Sequence, residues 1–334
     1  MLDRPRRPTL RDIAAETGLS SAAVSYALRG LQVPVETQVR VREAADRLGY
    51  QADPAARALA SGRTGYVGVL CGSLEDIWQQ GIAASLGREL LQRGRHGLIV
   101  DASNDPEVEG TLAEQLVAQR VDALICLPVD PRGAYWASVA ERTVLVSIGD
   151  ALPDTAVAAE VVFDNAGAVR HALTELARAG HTDIAVLTPL AVSTPDRPAE
   201  RVVPEVAAEL GVNATLRSAP LEIDGASDVA RDILTSASPP TAILCLADFI
   251  AYGVYAAARL LDVAIPGDLS VLGFDDNQLS RLLTPPLSSY RWPVDDLVTE
   301  VVERTLRAVD EGKHSRRKVL TFTPQPRGSV ASPR

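Results

Sequence analysis

Residues 9–30 read TLRDIAAETGLSSAAVSYALRG, and this stretch decides the fold of the N-terminal part of the chain. Thr9 suits the N-cap of a first helix whose apolar residues fall on one face. Gly18 is expected to end that helix, and Ser20 to cap a second helix that ends at Gly30. Two short helices joined by a tight turn that contains glycine are typical of a helix-turn-helix.

The next residues predict a third helix and then a short linking segment. The third helix is expected to begin near Pro34 and to bury Val39, Ala45 and Leu48. Residues 53–63, DPAARALASGR, contain helix-favouring residues but are too few to remain helical alone in water. We therefore expect this segment to fold only against a partner.

From Tyr66 onward, short apolar runs alternate with amphipathic stretches. The predicted strands are YVGVLC, HGLIVDA, ALICLP, VLVSI, IAVLT, AILCL and SVLGF. The predicted helices include Ile82–Arg93, Val108–Ala118, Ala166–Ala179, Val202–Leu210, Ala226–Leu234 and Ile250–Leu261. Such alternation predicts parallel sheets covered on both faces, with ligands at the carboxyl ends of the strands. The expected domains are thus a headpiece at 1–52, a hinge at 53–63 and a core at 64–334.

The charge is distributed unevenly along the 334 residues. The whole chain has a formal net charge of −10, yet residues 1–65 contain ten arginines and only seven acidic residues. Phosphate binding requires a locally positive surface rather than a positive protein. The distribution therefore fits a DNA-binding headpiece on an acidic core.

Several other classes of protein are disfavoured by the sequence. Cys71, Cys126 and Cys245 are widely spaced within or at the end of apolar runs, which predicts buried thiols rather than disulfides or a zinc site. The four histidines show no metal-ligand spacing, so we expect neither a metal nor a cofactor. The basic N-terminus is not followed by an apolar stretch, and no apolar run reaches about 18 residues, so a cytoplasmic protein is expected.

The chain also lacks the common catalytic motifs. No glycine-rich phosphate loop, G-x-S-x-G or H-E-x-x-H pattern occurs in the sequence, so we expect no enzyme and no catalytic residues.

Residues 9–30 together with TQVRVREAADRLGY (37–50) and PAARALASGRT (54–64) resemble the LacI/GalR family of lactose-repressor and purine-repressor proteins. The resemblance continues through QRVDALICLP, FDNAG, ARAGHTDIAVL, LADFIAYGVYAAARLLDVAIPGDLSVLGFDD and PRGSV. It implies an all-α helix-turn-helix headpiece and an α/β periplasmic-binding-protein-like core of two parallel-sheet subdomains. It also implies a homodimeric repressor that binds a pseudo-palindromic DNA operator and responds to a small-molecule effector, sugar-like or another small metabolite.

The resemblance assigns residues of the second helix to DNA. Base contacts are implied for Ser21, Ala22 and Tyr26, the last of which stands where the family more often has arginine. Packing within the helix is the alternative for Tyr26. Phosphate contacts are implied for Thr9, Ser20, Ser25 and Arg29. Helix capping is an equally good explanation for Thr9 and the serines.

Two residues of the hinge are also implied in DNA binding. Leu59 matches a leucine that the family inserts into the minor groove, where an apolar wedge unstacks a base step. Arg57, two residues earlier, is assigned to phosphate or to the groove edges. A docked linker for Leu59 and a solvated side chain for Arg57 are the alternatives.

The resemblance implies an effector site in the core. Asp275 matches an aspartate that binds ligand hydroxyls or ring nitrogens, with loop capping as the alternative. Arg201 is assigned to the site, and Arg197 competes for the same role. Aromatic contacts to the ligand, with burial in the core as the alternative, are implied for Trp78, Phe163 and Trp292. Ala247 and Ser147 replace polar family residues and predict a less polar site, and Asp248 is expected to cap the helix that follows.

Two related functions remain open at this point. A periplasmic binding protein would share the core but would need a signal sequence and would lack the headpiece. A DNA-binding regulator without an effector would keep the headpiece and leave the cavity unused.

The hinge yields the first testable prediction. Leu59→Ala removes the proposed wedge but keeps helix propensity, so affinity for a specific operator should fall by about 1–3 kcal/mol and the DNA bend should decrease. Affinity for random DNA, carried mainly by arginines, should barely change. Equal losses on both DNAs, measured by fluorescence anisotropy, would assign Leu59 to linker packing.

Overall fold

The computed structural model describes residues 8–31, 33–50, 62–190 and 199–334. The chain forms two compact units, one spanning Met1–Thr64 and the other Gly65–Arg334. Each unit has a hydrophobic core of its own.

The described residues of the first unit form three helices that pack on one another. They are α1 (Leu10–Thr17), α2 (Ser21–Leu28) and α3 (Val35–Leu48). Gly18 ends α1 with a φ of 68°, and its backbone N–H donates to the carbonyl of Ala14. A residue with a side chain is strained in this left-handed conformation, so glycine is the residue that permits the tight turn before α2.

One prediction for α3 is wrong. Val39 is 46% exposed, whereas Val41, Ala44 and Ala45 are buried. Because these three residues and the partly buried Leu48 follow the i, i+3, i+4, i+7 spacing of one helical face, Val39 lies on the opposite side.

The second unit is built around two parallel sheets. The first sheet has the strand order β11-β5-β4-β3-β1-β2. Its strands are β1 (Tyr66–Cys71), β2 (His96–Asp101), β3 (Ala123–Cys126), β4 (Val144–Gly149), β5 (Ala159–Phe163) and β11 (Lys318–Leu320). The helices that follow β1, β2 and β3 in the chain are, respectively, α4 (Ile77–Gln92), α5 (Pro106–Ala118) and α6 (Tyr135–Arg142).

The second sheet has the order β7-β6-β8-β9. Its strands are β6 (Asp183–Pro189), β7 (Asn213–Ala219), β8 (Ala242–Cys245) and β9 (Ser270–Leu272). Its helices are α7 (Asn165–Arg178), α8 (Ala199–Leu210), α9 (Ile223–Leu234) and α10 (Asp248–Leu260). We call each sheet with its helices a subdomain.

The chain passes between the two subdomains three times. It leaves the first sheet after β5, returns through β10 (Ser289–Arg291) and α11 (Val294–Glu311), and crosses again between β11 and β12 (Thr323–Gln325). Strands β10 and β12 pair antiparallel, and α11 packs on the first sheet. Aromatic residues at these crossings, Phe163, Tyr290 and Trp292, belong to one hydrophobic cluster that includes residues of both sheets.

The ends of individual elements refine the sequence predictions. Helix α4 begins at Ile77 rather than Ile82, because the carboxylate of Asp76 accepts a hydrogen bond from the backbone N–H of Trp78 (2.9 Å). All three cysteines are buried. Among the helices described, none is both long and apolar enough to cross a membrane.

Helix α3 offers a matched pair of substitutions. Val41→Ala removes a fully buried side chain and should lower the stability of the first unit by about 1.5–3 kcal/mol. Val39→Ala removes the same atoms from a half-exposed side chain and should cost far less. Calorimetric unfolding of the full chain measures both effects, and equal losses would contradict the assigned core.

Candidate functional site

Helix α2 has one buried and one exposed face. Val24 and Ala27 are fully buried in the core of the first unit. The exposed side presents Ser21 and Ala22 in the first turn and Tyr26 one turn later, with Tyr26 40% exposed. The three side chains assigned to base contacts therefore share an accessible surface, which is the arrangement that a recognition helix needs.

The polar residues around this helix make local contacts. The Ser20 hydroxyl accepts a hydrogen bond from the Ala23 backbone N–H (3.2 Å). The Thr9 hydroxyl and backbone N–H both donate to the Asp12 carboxylate, at 2.8 and 2.7 Å. Both residues thus act in capping, and such contacts leave a hydroxyl oxygen able to accept or donate further bonds.

Arg29 lies against the exposed tyrosine. Its guanidinium carbon is 5.3 Å from the centre of the Tyr26 ring, and its Nε donates to the Ser25 carbonyl (3.2 Å). A cation over a ring at this distance is attracted by the π face. Arg29 therefore packs against the Tyr26 ring on the exposed side of α2. The other two residues assigned to DNA, Arg57 and Leu59, lie outside the described residues.

The second unit contains a cavity of about 590 Å³ between its two subdomains. It is lined at the carboxyl ends of strands from both sheets, for example by Gly149 and Phe163 of the first and Thr188 of the second. The volume falls within the usual range of small-molecule sites. This is the position at which parallel α/β sheets bind their ligands.

Aromatic side chains form one side of the cavity. The ring centroids of Trp78 and Phe163 are 5.5 Å apart, and those of Phe163 and Trp292 are 4.7 Å apart. All three residues line the cavity. The indole Nε1 of Trp78 is buried and has no hydrogen-bond partner among the described residues. An unpaired buried donor is costly, so this group favours a ligand that supplies an acceptor.

Asp275 lines the same cavity, in the turn after β9, and its carboxylate accepts a hydrogen bond from the Trp292 indole. Its φ of 96° is unusual for a residue with a side chain, and its backbone N–H donates to the Tyr290 carbonyl (2.9 Å). Burial, followed by the negative charges of Asp248 and Asp76, raises the pKa of its carboxyl well above the ordinary value. Asp275 is therefore a strained and electrostatically stressed residue facing the ligand space.

Asp248 does not have the predicted helix-capping role. Ala247 is the N-cap of α10, and the buried Asp248 carboxylate instead accepts hydrogen bonds from the Asn277 backbone N–H and from two serine hydroxyls. The hydroxyl contacts are to Ser280 at 2.5 Å and Ser289 at 2.7 Å. Burial raises the pKa of Asp248 to about 6, although these donors oppose the shift. Asp248 thus connects α10 to the turn that carries Asp275 and to strand β10.

Asp276 links the turn after β9 to strand β10 and to the segment that contains Arg327. Its side chain is inaccessible and forms ion pairs with Arg327 and with Arg291, whose Nε lies 2.7 Å from Oδ2. Burial alone would raise the pKa of Asp276, but the two guanidinium groups outweigh it and lower the pKa. The residue is therefore a charged anchor beside the cavity.

Arg201 lies away from the cavity lining. It lies on the side of α8 opposite to the buried Val202, Val203 and Val206, and its side chain is 65% exposed. Its guanidinium pairs with Glu205 of the same helix at 3.1 Å. Arg197 falls outside the described residues.

Several cavity residues were absent from the sequence predictions. Phe274 and Asn277 flank the aspartates after β9, and Gln79 and Asn104 follow β1 and β2. Their position directly after predicted strands was the available signal. Among the described residues, no group of three or more histidine, cysteine or acidic side chains is arranged to hold a metal ion.

The raised pKa of Asp275 predicts a pH-dependent effect on stability. Asp275→Asn should increase the free energy of unfolding at pH 7, because it removes a carboxylate whose ionised form burial and like charges disfavour in the folded state. The gain should shrink as the pH falls and vanish below about 3.9, where the folded and unfolded wild-type forms are both protonated.

Denaturant unfolding at several pH values measures this difference. Asp232→Asn, on the exposed side of α9, is a matched control that should change stability little. A constant difference between pH 7 and pH 4 would show that packing, not charge, governs position 275.

Comparison with known proteins identifies relatives that match this chain over most of its length. Residues 173–330 match the family model of the periplasmic binding protein-like domain. The chain is 30% identical over 338 residues to the HTH-type transcriptional regulator MalR of Streptomyces coelicolor, covering 97% of this chain and 96% of that protein. It is 27% identical over 294 residues to catabolite control protein A of Staphylococcus aureus, covering 86% and 88% respectively.

Solved structures share the fold at lower identity. The lac repressor dimer bound to operator and the anti-inducer ONPF has a TM-score of 0.87 at 24% identity, covering 98% of this chain and all of that one. The complex of the regulator CelR with cellobiose has a TM-score of 0.71 at 22% identity, covering 97% and all of that chain. The similarity to MalR spans both units, and MalR is named as an HTH-type transcriptional regulator. The chain belongs to the LacI family of HTH-type transcriptional regulators.

Proposed function

We propose that this regulator is a homodimeric, cytoplasmic repressor that binds a pseudo-palindromic DNA operator and is controlled by a small molecule. The observation that carries the proposal is the presence of two separate sites in one chain. One is the exposed face of α2, and the other is the 590 Å³ cavity between the subdomains. Neither site contains the nucleophile–base arrangement of an enzyme among the residues described, so binding is the proposed activity of both.

The DNA site is argued from accessibility and charge. Ser21, Ala22 and Tyr26 are exposed on one side of α2, and serine and tyrosine can both donate and accept hydrogen bonds. Arg29 beside them supplies positive charge, in a region where arginines outnumber acidic residues. A single short helix reads only a few base pairs, so a second copy of the chain on an inverted half-site supplies the remaining selectivity.

Relatives and structural neighbours support the second copy and the ligand. The lac repressor neighbour is a dimer bound to operator, and the CelR neighbour is bound to cellobiose. In this chain the unpaired Trp78 donor and the strained Asp275 both favour occupation of the cavity by a ligand. The proposed hinge at 53–63, whose Arg57 and Leu59 lie outside the described residues, is the segment that would carry the effect of the ligand to the headpiece.

Selection of binding sites from random DNA tests the proposal. The full chain should enrich two inverted half-sites, and binding should involve two protomers with an affinity that falls steeply with salt. Tyr26→Ala should then weaken binding to the selected site by about 1–3 kcal/mol and leave binding to scrambled DNA nearly unchanged.

Tyr26→Phe is the matched variant that keeps the ring over Arg29 and removes only the hydroxyl. A loss on the selected site in this variant assigns the reading to the hydroxyl, and full affinity assigns it to the ring. Failure to enrich any sequence, or a stable complex of one protomer with DNA, would contradict the proposed function.

A further inference from the structure

The charge of the cavity narrows the chemistry of the ligand. Its described lining contains three carboxylates, those of Asp76, Asp248 and Asp275. The same lining, drawn from residues 62–190 and 199–334, contains no lysine, arginine or histidine. The nearby guanidinium groups of Arg291 and Arg327 are bound to Asp276, which lies outside the lining.

All three carboxylates accept hydrogen bonds from protein donors, and Asp275 is the one whose ionised form the other two charges disfavour. Asp248 accepts three hydrogen bonds and Asp76 caps α4, so both are fixed in the wall by protein groups. Asp275 accepts hydrogen bonds from the Asp248 backbone N–H and from the Trp292 indole, yet it faces both of these charges without an opposing cation among the described lining residues. A buried charge is tolerated when it is paired or neutralised, so Asp275 requires a cation or a proton once the cavity closes.

The aromatic side chains of the cavity favour a cation, rather than a proton, as the partner of Asp275. Trp78, Phe163 and Trp292 form a continuous series of rings, and a cation near the face of such a ring is attracted to its π electrons. The unpaired indole N–H of Trp78 additionally requires an oxygen acceptor. Carboxylate, ring faces and indole N–H together describe a ligand with one positive nitrogen and at least one hydroxyl or ether oxygen.

We propose that the cavity selects a small hydroxylated organic cation, an amine or a quaternary ammonium compound, over neutral and anionic molecules of the same shape. This inference rests on the proposed ligand-controlled function and specifies the class of its ligand. Phosphorylated and carboxylated compounds are disfavoured by repulsion from the three carboxylates of the described lining.

Paired probes test the selection in the full wild-type chain. D-Glucosamine is compared with D-glucose, choline with 3,3-dimethylbutan-1-ol, and glucose 6-phosphate serves as the anion, all near neutral pH. Calorimetry and tryptophan fluorescence report binding, since Trp78 and Trp292 are two of the three tryptophans in the chain. At least one cationic probe should bind about tenfold or more tightly than its neutral partner.

Asp275→Asn keeps the shape of the side chain and removes its charge. It should weaken binding of the cationic probe by about thirtyfold and leave the affinity for the neutral partner within a few-fold of wild type. Asp232→Asn, which changes the net charge equally on an exposed surface, should leave both affinities unchanged.

The possible outcomes separate this inference from the proposed function. If no cationic probe binds more tightly than its neutral partner, whether or not any probe binds, the inference is overturned. A neutral saccharide that binds and alters operator affinity would overturn it while preserving the proposed function. Loss of operator binding in the selection experiment would overturn the function itself.

Discussion

The ligand cavity depends on the buried ion pairs of Asp276. This carboxylate is inaccessible to solvent, and it joins the turn after β9 to Arg291 of β10 and to Arg327 near the C-terminal end. Removing one partner of a buried ion pair typically costs about 3–5 kcal/mol, because the other charge is left uncompensated. The anchor also explains how the neighbouring Asp275 is held at a φ of 96°, since a strained backbone persists only where surrounding contacts fix it.

The same contacts connect the cavity wall to the crossings between the subdomains. The backbone N–H groups of Asp275 and Asp276 donate to the Tyr290 carbonyl and to the Ser289 hydroxyl, both on β10. Strand β10 leads directly to Trp292, which lines the cavity, and then to α11, which packs on the first sheet. A ligand that touches Asp275 and Trp292 therefore contacts both sides of one hydrogen-bonded crossing. Such a crossing is a physical route by which occupation of the cavity can bias the arrangement of the two sheets.

Local patterns predicted much of the fold, and long-range contacts account for the parts they missed. Capping residues and helical spacing located α1 and α2, and the same spacing along Val41, Ala44, Ala45 and Leu48 distinguishes the buried Val41 from the exposed Val39. The crossing strands β10, β11 and β12 have three residues each, too few for an alternating pattern to stand out.

The cavity shows the same division between local and distant determinants. Trp78, Phe163, Asp275 and Trp292 were identified from resemblance and strand ends, and all four line one cavity. The sequence favours a capping role for Asp248 because the residue stands at the start of a predicted helix. Its hydrogen-bond donors, however, lie about 30 to 40 residues further along the chain. Arg201 was placed by family position alone, and the burial of the valines on α8 turns it toward solvent.

The central claim is that occupation of the cavity controls DNA binding, and the operator dissociation constant tests it most directly. It should be measured for the full chain with the cavity empty and with it saturated, while the fluorescence of Trp78 and Trp292 reports occupancy. A coupling of the usual size would change the constant by about 5- to 150-fold. An unchanged constant with the cavity demonstrably filled would contradict the account.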